Sequence, residues 1–185
     1  GIRLVVTCHD VSAIAHGKVT ARERALWWRE LKRYRWTWNP LRRMLIRRFL
    51  KNADRLLAVS SALKTYLESK GIQPTTLLHN GIDLTFWKPA IDRETARKQL
   101  GLPSEIPLFL FAGRLGHDKG SALITAALPQ SCGLILAGEA YSAIEKTFPG
   151  RAFPFPRQSP EQMRLLYAAC DSVLVPSRCL DCFPT

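Results

Sequence analysis

Short, continuously apolar runs punctuate the chain: IRLVVTC at 2–8, RLLAVS at 55–60, TTLLH at 75–79, PLFLFAG at 107–113, GLILAG at 133–138 and SVLVPS at 172–177. Each is far too short to cross a membrane and too uniformly apolar to leave one face in water. Each therefore reads as a strand buried within a sheet. Stretches of helical periodicity separate the runs, and strands joined by crossover helices pair in parallel. An α/β fold with helices on both faces of the sheet follows.

Trp27, Leu31, Tyr34 and Trp38 fall on one stripe and predict a helix over 20–38. Asn39-Pro40 interrupts it, because proline lacks an amide and restricts the residue before it. A second helix runs to about Asn52, with Leu41, Met44, Leu45 and Phe49 apolar and Arg43, Arg47 and Lys51 opposed. Ser60 or Ser61 caps a helix over 62–70 that Gly71 closes. Residues 82–92 carry Pro89 and little periodicity, and read as a linker.

Beyond the linker the alternation resumes, with helices near 93–100, 119–128, 140–147 and 160–169 and a further short strand at Phe153–Phe155. One echo between the halves is visible: ADRLLAVSS at 53–61 against CDSVLVPSR at 170–178, each an aspartate, a buried strand and a serine. Two Rossmann-like domains are expected, at 1–86 and 87–185. The chain opens on Gly1 within a strand-like run and stops at CFPT, so each domain is expected to be incomplete and the whole a fragment.

Charge and composition narrow the function. The net charge is +12, and residues 22–55 hold twelve Lys or Arg against three acids, together with four of the five tryptophans. Such a patch suits an anionic partner: a membrane surface, a nucleic acid or an acidic substrate. Trp27 and Trp28, with Arg43 and Arg47, are the candidate membrane-facing residues, since aromatic rings sit at headgroup level beside basic side chains. A helix stripe packed on the sheet, with its arginines solvated, is the plainer reading of the same pattern. Five cysteines without dense spacing fit a reducing compartment, so a cytoplasmic location is expected, peripheral on the inner face of the plasma membrane if the patch binds lipid.

In open α/β sheets ligands bind beyond the carboxyl ends of the strands. Gly113 ends one such strand, and FAGRLGHDKG sets Arg114 and Lys119 at its mouth, ahead of a helix N-terminus. Two cations and a helix dipole suit a diphosphate and would stabilise charge growing on a leaving group. Solvated surface cations are the alternative. The G-x4-GK-[ST] order is missing, which disfavours ATP hydrolysis of the P-loop type.

The segment GRLGHDKG resembles the GRL-x3-KG element of GT-B glycosyltransferases, specifically the retaining enzymes of family 4. The likeness continues in order through ADRLLAVSSALKTYLESKGI, LLHNGIDLTFWKP, LILAGEA and SPEQMRLLYAACDSVLVPS. It implies sugar transfer from a nucleotide-diphosphate donor, with retention at the anomeric carbon. Arg114 and Lys119 would hold the diphosphate, His9 would face the transferred sugar, and Gly81 would line the cleft. Gly113 and Gly138 would border the donor site. PSRCLDCFPT matches the family's PS-x3-E-x-FG segment, so Asp181, Phe183, Pro184 and Thr185 would cradle the donor sugar and nucleotide.

Departures from the pattern matter. Asp181 reaches one methylene less than the usual glutamate, and Pro184 and Pro156 stand where glycine is usual. The second glutamate of E-x7-E and the glycine-rich loop of many relatives are not present in the sequence. The resemblance also implies no metal and no bound cofactor, the nucleotide sugar being a co-substrate. A glycan or lipid-linked acceptor, including the lipopolysaccharide type, would fit the basic aromatic segment and a role in cell-envelope polysaccharide synthesis.

Rival readings stay open. A non-catalytic, decayed transferase-like fragment fits Asp181 and the missing elements. A basic nucleic-acid-binding protein fits the charge, although no recognised module for it is present. Cys179-x2-Cys182 suggests a metal or redox protein, yet Cys132 and Cys170 do not supply a second ligand pair by spacing.

Overall fold

A computed structural model describes residues 3–9, 40–72, 75–114, 116, 119–138 and 146–178, the side chains of Pro40, Arg42 and Arg43 excepted. The predicted helix over 20–38, most of that over 140–147, Trp27, Trp28 and the segment 179–185 lie outside the described residues. The chain divides into two compact units, Gly1–Ile82 with Arg178–Thr185 and Asp83–Ser177. This division falls a few residues before the expected one at 86/87.

In the first unit β1 (Val5–Cys8), β2 (Arg55–Ala58) and β3 (Thr75–Leu77) form a parallel sheet in chain order. Helix α1 (Pro40–Lys51) joins β1 to β2, and α2 (Ser61–Ser69) joins β2 to β3. Strands added in one direction by right-handed crossovers place both helices on the same face. The packing agrees: Cys8, Leu56 and Ala58 are buried with Leu50 of α1 and Leu63 and Leu67 of α2. Ser60 is the cap of α2, its hydroxyl accepting from the Leu63 amide at 3.2 Å, and Gly71 follows the helix at φ +70°.

Helix α1 corrects the sequence reading of its faces. Leu41, Met44, Leu45 and Phe49 are each more than half exposed, whereas Ile46 and Leu50 face the core. Arg47, expected on the polar side, donates from Nη2 to the Lys70 carbonyl at 3.0 Å, at the end of α2. An orphan carbonyl at a helix C-terminus attracts such a cation.

The second unit opens with α3 (Leu84–Trp87), a single turn inside the expected linker, capped by Asp83. Trp87 packs edge-on to Tyr167, and the Arg164 guanidinium lies 4.8 Å from the Phe86 ring centre. These aromatic contacts turn a supposed linker into part of the domain.

There follow α4 (Arg93–Leu100), β4 (Leu108–Ala112), α5 (Ser121–Ala127), β5 (Gly133–Ala137), β6 (Ala152–Phe155), α6 (Pro160–Ala169) and β7 (Ser172–Val173). The sheet is parallel, in the order β6-β5-β4-β7. Chain growth therefore reverses at β4, so right-handed crossovers put α5 and α6 on opposite faces. Leu108, Leu110, Ile135 and Ala137 pack with α4 and α6, while Phe111, Leu134 and Leu136 pack with Ile124 of α5 and Phe148. Alternation along the strands divides the two cores. Coverage of both faces, expected from the apolar runs, holds here. In the first unit the described helices cover one.

The echo between the halves has a structural cause. The Asp54 amide donates to the Leu4 carbonyl at 2.9 Å, and its carboxylate accepts the Leu4 amide at 2.7 Å. The Asp171 amide donates to the Leu108 carbonyl at 2.8 Å, and its carboxylate accepts the Leu108 amide at 2.7 Å. In each unit one aspartate thus closes a two-way clasp that starts a parallel strand pair.

Asp171 carries more. Its second oxygen meets Arg93 Nη1 at 2.6 Å, and the first also meets Nη2 of buried Arg97 at 2.6 Å. Arg97 is completed by the carbonyls of Ala169 and Ser104, both at 2.9 Å. Desolvation opposes ionisation of Asp171, but the Leu108 amide and the two arginines outweigh it and hold the carboxyl below its usual value.

Replacing Asp171 by alanine leaves Arg97 buried without a counter-charge, a situation that costs about 3–5 kcal/mol. Urea unfolding of the second unit should report that loss, with a smaller one in the first unit for Asp54→Ala. Because folding lowers the Asp171 pKa, its contribution is present above the ordinary carboxyl range and fades as the pH falls through it. The gap between wild type and Asp171→Ala should narrow below about pH 4.

Candidate functional site

The carboxyl edge of the second sheet is shaped by two glycines. The Gly113 amide donates to the Ala137 carbonyl at 2.9 Å, and the Gly138 amide to the Phe155 carbonyl at 3.0 Å. Each extends its ladder by one rung and then turns at φ +144° and +145°, a conformation that side chains disfavour. The strands thus end in bare backbone.

Over them lies a depression of about 280 Å³ lined by Gly113, Arg114, Gly138 and Arg157. Both arginines are exposed, and among the described residues no carboxylate pairs with either. A concavity with a backbone floor and two guanidiniums on its wall suits an anion that must approach closely. A larger cavity of about 470 Å³ lies between α5 and β7, lined by Leu123, Ile124, Val173 and Val175 among others. Among the described residues its lining carries no charged side chain, and so offers a diphosphate no counter-charge.

Lys119 does not line the depression. It is half-buried in the turn before α5, where its amide donates to the Gly116 carbonyl at 3.0 Å. Ser121 follows the same turn, its amide and hydroxyl each 3.4 Å from the Gly116 carbonyl. Gly120, at φ +70°, begins α5 against the backbone beyond β7. A β-carbon built there would sit 2.0 Å from the Pro176 carbonyl oxygen. This contact brings the start of α5 to the switch point between β4 and β7, where the sheet's growth reverses and open α/β sheets take ligands.

The other predicted residues divide as follows. His9 is exposed just past β1, and Gly81 is exposed after β3. Both stand at the carboxyl edge of the first sheet, with His79 Nδ1 3.0 Å from the Val59 carbonyl between β2 and β3. Asp181, Phe183, Pro184 and Thr185 lie outside the described residues, as does the Arg43 side chain. Among the described residues no group of three His, Cys, Asp or Glu side chains is arranged to hold a metal. Cys170 is buried in the core, and that burial pushes its thiol pKa up.

The family resemblance ties nucleotide choice to the loop near Phe155–Arg157 without giving Arg157 a role of its own, and here Arg157 lines the depression. It follows β6 as Arg114 follows β4, but the prolines of AFPFP weaken the strand signal that would have marked it.

Residues 1–86 match one protein family, Glycosyltransferase Family 4. The chain is 30% identical over 155 residues to the D-inositol 3-phosphate glycosyltransferase of Mycobacterium tuberculosis, covering 75% of this chain and 32% of that protein. It thus spans about a third of that relative's length. Among solved structures, sucrose-phosphate synthase from Thermosynechococcus elongatus superposes with a TM-score of 0.72 at 21% identity, over 97% of this chain and 45% of that one. HepE of Anabaena in complex with UDP-glucose gives 0.66 at 19% identity, over 92% and 46%.

Gly120→Ala tests the close approach at the switch point. A side chain there is strained in its backbone and collides with the Pro176 carbonyl, so a loss of more than about 1 kcal/mol is expected. Urea unfolding of the second unit measures it, and an unchanged midpoint would mean that the Pro176 segment moves aside freely.

Proposed function

From a chain whose residues 1–86 carry the Glycosyltransferase Family 4 pattern and whose α/β fold is that of the GT-B glycosyltransferases, we propose a retaining glycosyltransferase that draws on a nucleotide-diphosphate sugar. The observation that carries this reading is the depression over Gly113 and Gly138 with Arg114 on its wall. Fixed cations at that edge stabilise the ground state of a diphosphate and, more strongly, the charge that grows on it as the glycosidic bond breaks.

In this reading Arg114 holds the diphosphate from the wall of the depression and Lys119 acts from outside it, on the turn before α5, the two supplying the counter-charge that a metal ion supplies elsewhere. His9 faces the transferred sugar. Asp181 and the residues after it hold that sugar, with no nucleophile assigned. The relation to HepE, solved with UDP-glucose, supports a nucleotide-sugar donor. The sugar transferred is of the hexose class.

The acceptor we assign is lipid-linked or of lipopolysaccharide type, handled at the inner face of the plasma membrane by a cytoplasmic enzyme. Support comes from the basic, tryptophan-rich segment and from α1, where exposed Leu41, Met44, Leu45 and Phe49 adjoin exposed Arg48 and Lys51. Apolar side chains enter the headgroup boundary while each basic residue adds about 1 kcal/mol near an anionic leaflet. Among the described residues no helix is long and apolar enough to cross a membrane. Arg47, engaged with Lys70, takes no part in this contact.

UDP-glucose at a hundredfold excess over its Kd should stabilise the chain by about 2.7 kcal/mol in thermal unfolding. Arg114→Ala should weaken binding about tenfold or more, the worth of one charge-assisted hydrogen bond. If no nucleotide-diphosphate sugar shifts the transition, the donor reading fails. In vesicle sedimentation, anionic vesicles should retain the chain at low salt and release it at high salt. Equal binding to neutral and anionic vesicles would refute the membrane contact.

A further inference from the structure

A further concavity of the second unit takes no part in the donor reading. It is a crevice of about 230 Å³ between α4, α6 and the short segment that precedes α4. Ala90, Ile91, Leu165 and Ala168 make part of its lining apolar, and Gln99, Glu161 and Arg164 supply the polar groups. None of these residues lines the depression over Gly113 and Gly138.

One face of α6 builds most of the crevice. Glu161, Arg164, Leu165 and Ala168 fall at i, i+3, i+4 and i+7, so their side chains share a stripe of the helix. Arg164 is held in place beforehand. Its Nη2 donates to the Lys88 carbonyl at 2.9 Å, and its guanidinium lies 4.8 Å from the Phe86 ring centre. Its Nε is buried without a partner among the described residues, so this placement is not the one that best serves stability. Glu161 is ionised near neutral pH, because its own amide and the Ser159 hydroxyl hold its carboxyl below the usual value.

The lining thus presents one cation, one anion and one carboxamide beside an apolar surface. A bound anion would gain from Arg164 and lose to Glu161, and a bound cation the reverse. A neutral ligand with adjacent hydroxyls meets neither penalty. Its hydroxyls can donate to the carboxylate, accept from the guanidinium and do both with Gln99. The C–H face of a pyranose ring suits the apolar part of the lining. The volume lies below the roughly 300–1,000 Å³ of pockets for drug-sized ligands, which limits the occupant to about one ring. Ala90, Gln99 and Glu161 are exposed, so the mouth faces solvent and admits a free sugar or the end of a glycan.

We propose that this crevice binds one neutral hexopyranose unit, at a site separate from the donor depression. The site stands whether or not the donor reading holds.

Proton–nitrogen correlation NMR of the full chain tests this. The probes are glucose, mannose and galactose, each alone and as its homotrisaccharide, with inorganic phosphate as the charged control. At least one hexose should shift the Gln99 side-chain amide and the α6 amides from Glu161 to Ala168. Its Kd should be on the order of 1 mM, the range for a ligand of about a dozen heavy atoms. Glu161→Gln should weaken binding about tenfold, the worth of one charge-assisted hydrogen bond. Ala90→Trp, at the exposed lip, should block it without touching the core. Arg114→Ala should leave it unchanged. A trisaccharide that binds more tightly assigns the site to a glycan end, and an equal Kd assigns it to the free hexose.

The absence of any shift well above that concentration, or shifts confined to Gly113, Arg114 and Gly138, would overturn the proposal. So would phosphate binding more tightly than every hexose at the same amides. Sugar binding that neither Glu161→Gln nor Ala90→Trp weakens would place the sugar elsewhere and overturn it too.

Discussion

The second unit is organised around one carboxylate. Asp171 joins the first amide of β4, a buried guanidinium from α4 and a second arginine, within a few ångströms of the end of α6. Buried charge is tolerated only when its hydrogen-bonding capacity is filled, and Arg97 is filled by three carbonyls besides the carboxylate. The consequence reaches the other end of the sheet. Fixing Leu108 against Asp171 sets the β4–β7 register, in which Phe109 faces Ser172 and Leu110 faces Val173. That register delivers Gly113 and Pro176 to the same edge, where the start of α5 closes on the chain beyond β7.

The carboxyl edge is then defined by what the side chains omit. Gly113 and Gly138 carry the ladders one step further and leave bare backbone at the floor of the depression. Gly120 lets α5 start where no other residue fits. A ligand drawn by Arg114 can therefore approach the main chain as closely as van der Waals contact allows, the condition under which oriented dipoles and fixed charges act most strongly. The proposed chemistry asks for that electrostatic setting and for little else from this unit.

Much of this was legible in the sequence because the strong signals are local. The six continuous apolar runs each fell on a strand, the shorter Phe153–Phe155 reading gave the seventh, and the capping residues Ser60 and Gly71 fell where the helix pattern required them. The repeated aspartate before a strand was visible as an echo, but the clasp behind it was not, since its partners Leu4 and Leu108 lie 50 and 63 residues away. Nor was the burial of Arg97, whose helix RETARKQL offers only Ala96 and Leu100 as apolar residues. In α1 the apolar stripe suggested a core contact, yet Ile46 and Leu50 supply it and the stripe stays exposed. Periodicity reports that a helix has two faces. It does not report which one the rest of the chain covers.

The same limit explains why a cation count misleads at the site. The second unit has many arginines, and composition treats them alike. Their partners separate them. Arg93 and Arg97 are spent on Asp171, and Arg164 donates to the Lys88 carbonyl beside the Phe86 ring. Arg151 donates to the Gln130 side chain. Those guanidiniums are engaged by the scaffold, Arg93 and Arg97 by a carboxylate and Arg164 and Arg151 by neutral acceptors. Arg114 and Arg157 stand at the one sheet edge where the described neighbours are glycines, with no described carboxylate to answer them. Uncompensated like charge in a concavity raises the free energy of the empty site, and an anionic ligand relieves it on binding. Arg114 and Arg157 line one depression, and in the proposed reading an anionic ligand there would bring the negative charge that no described carboxylate supplies.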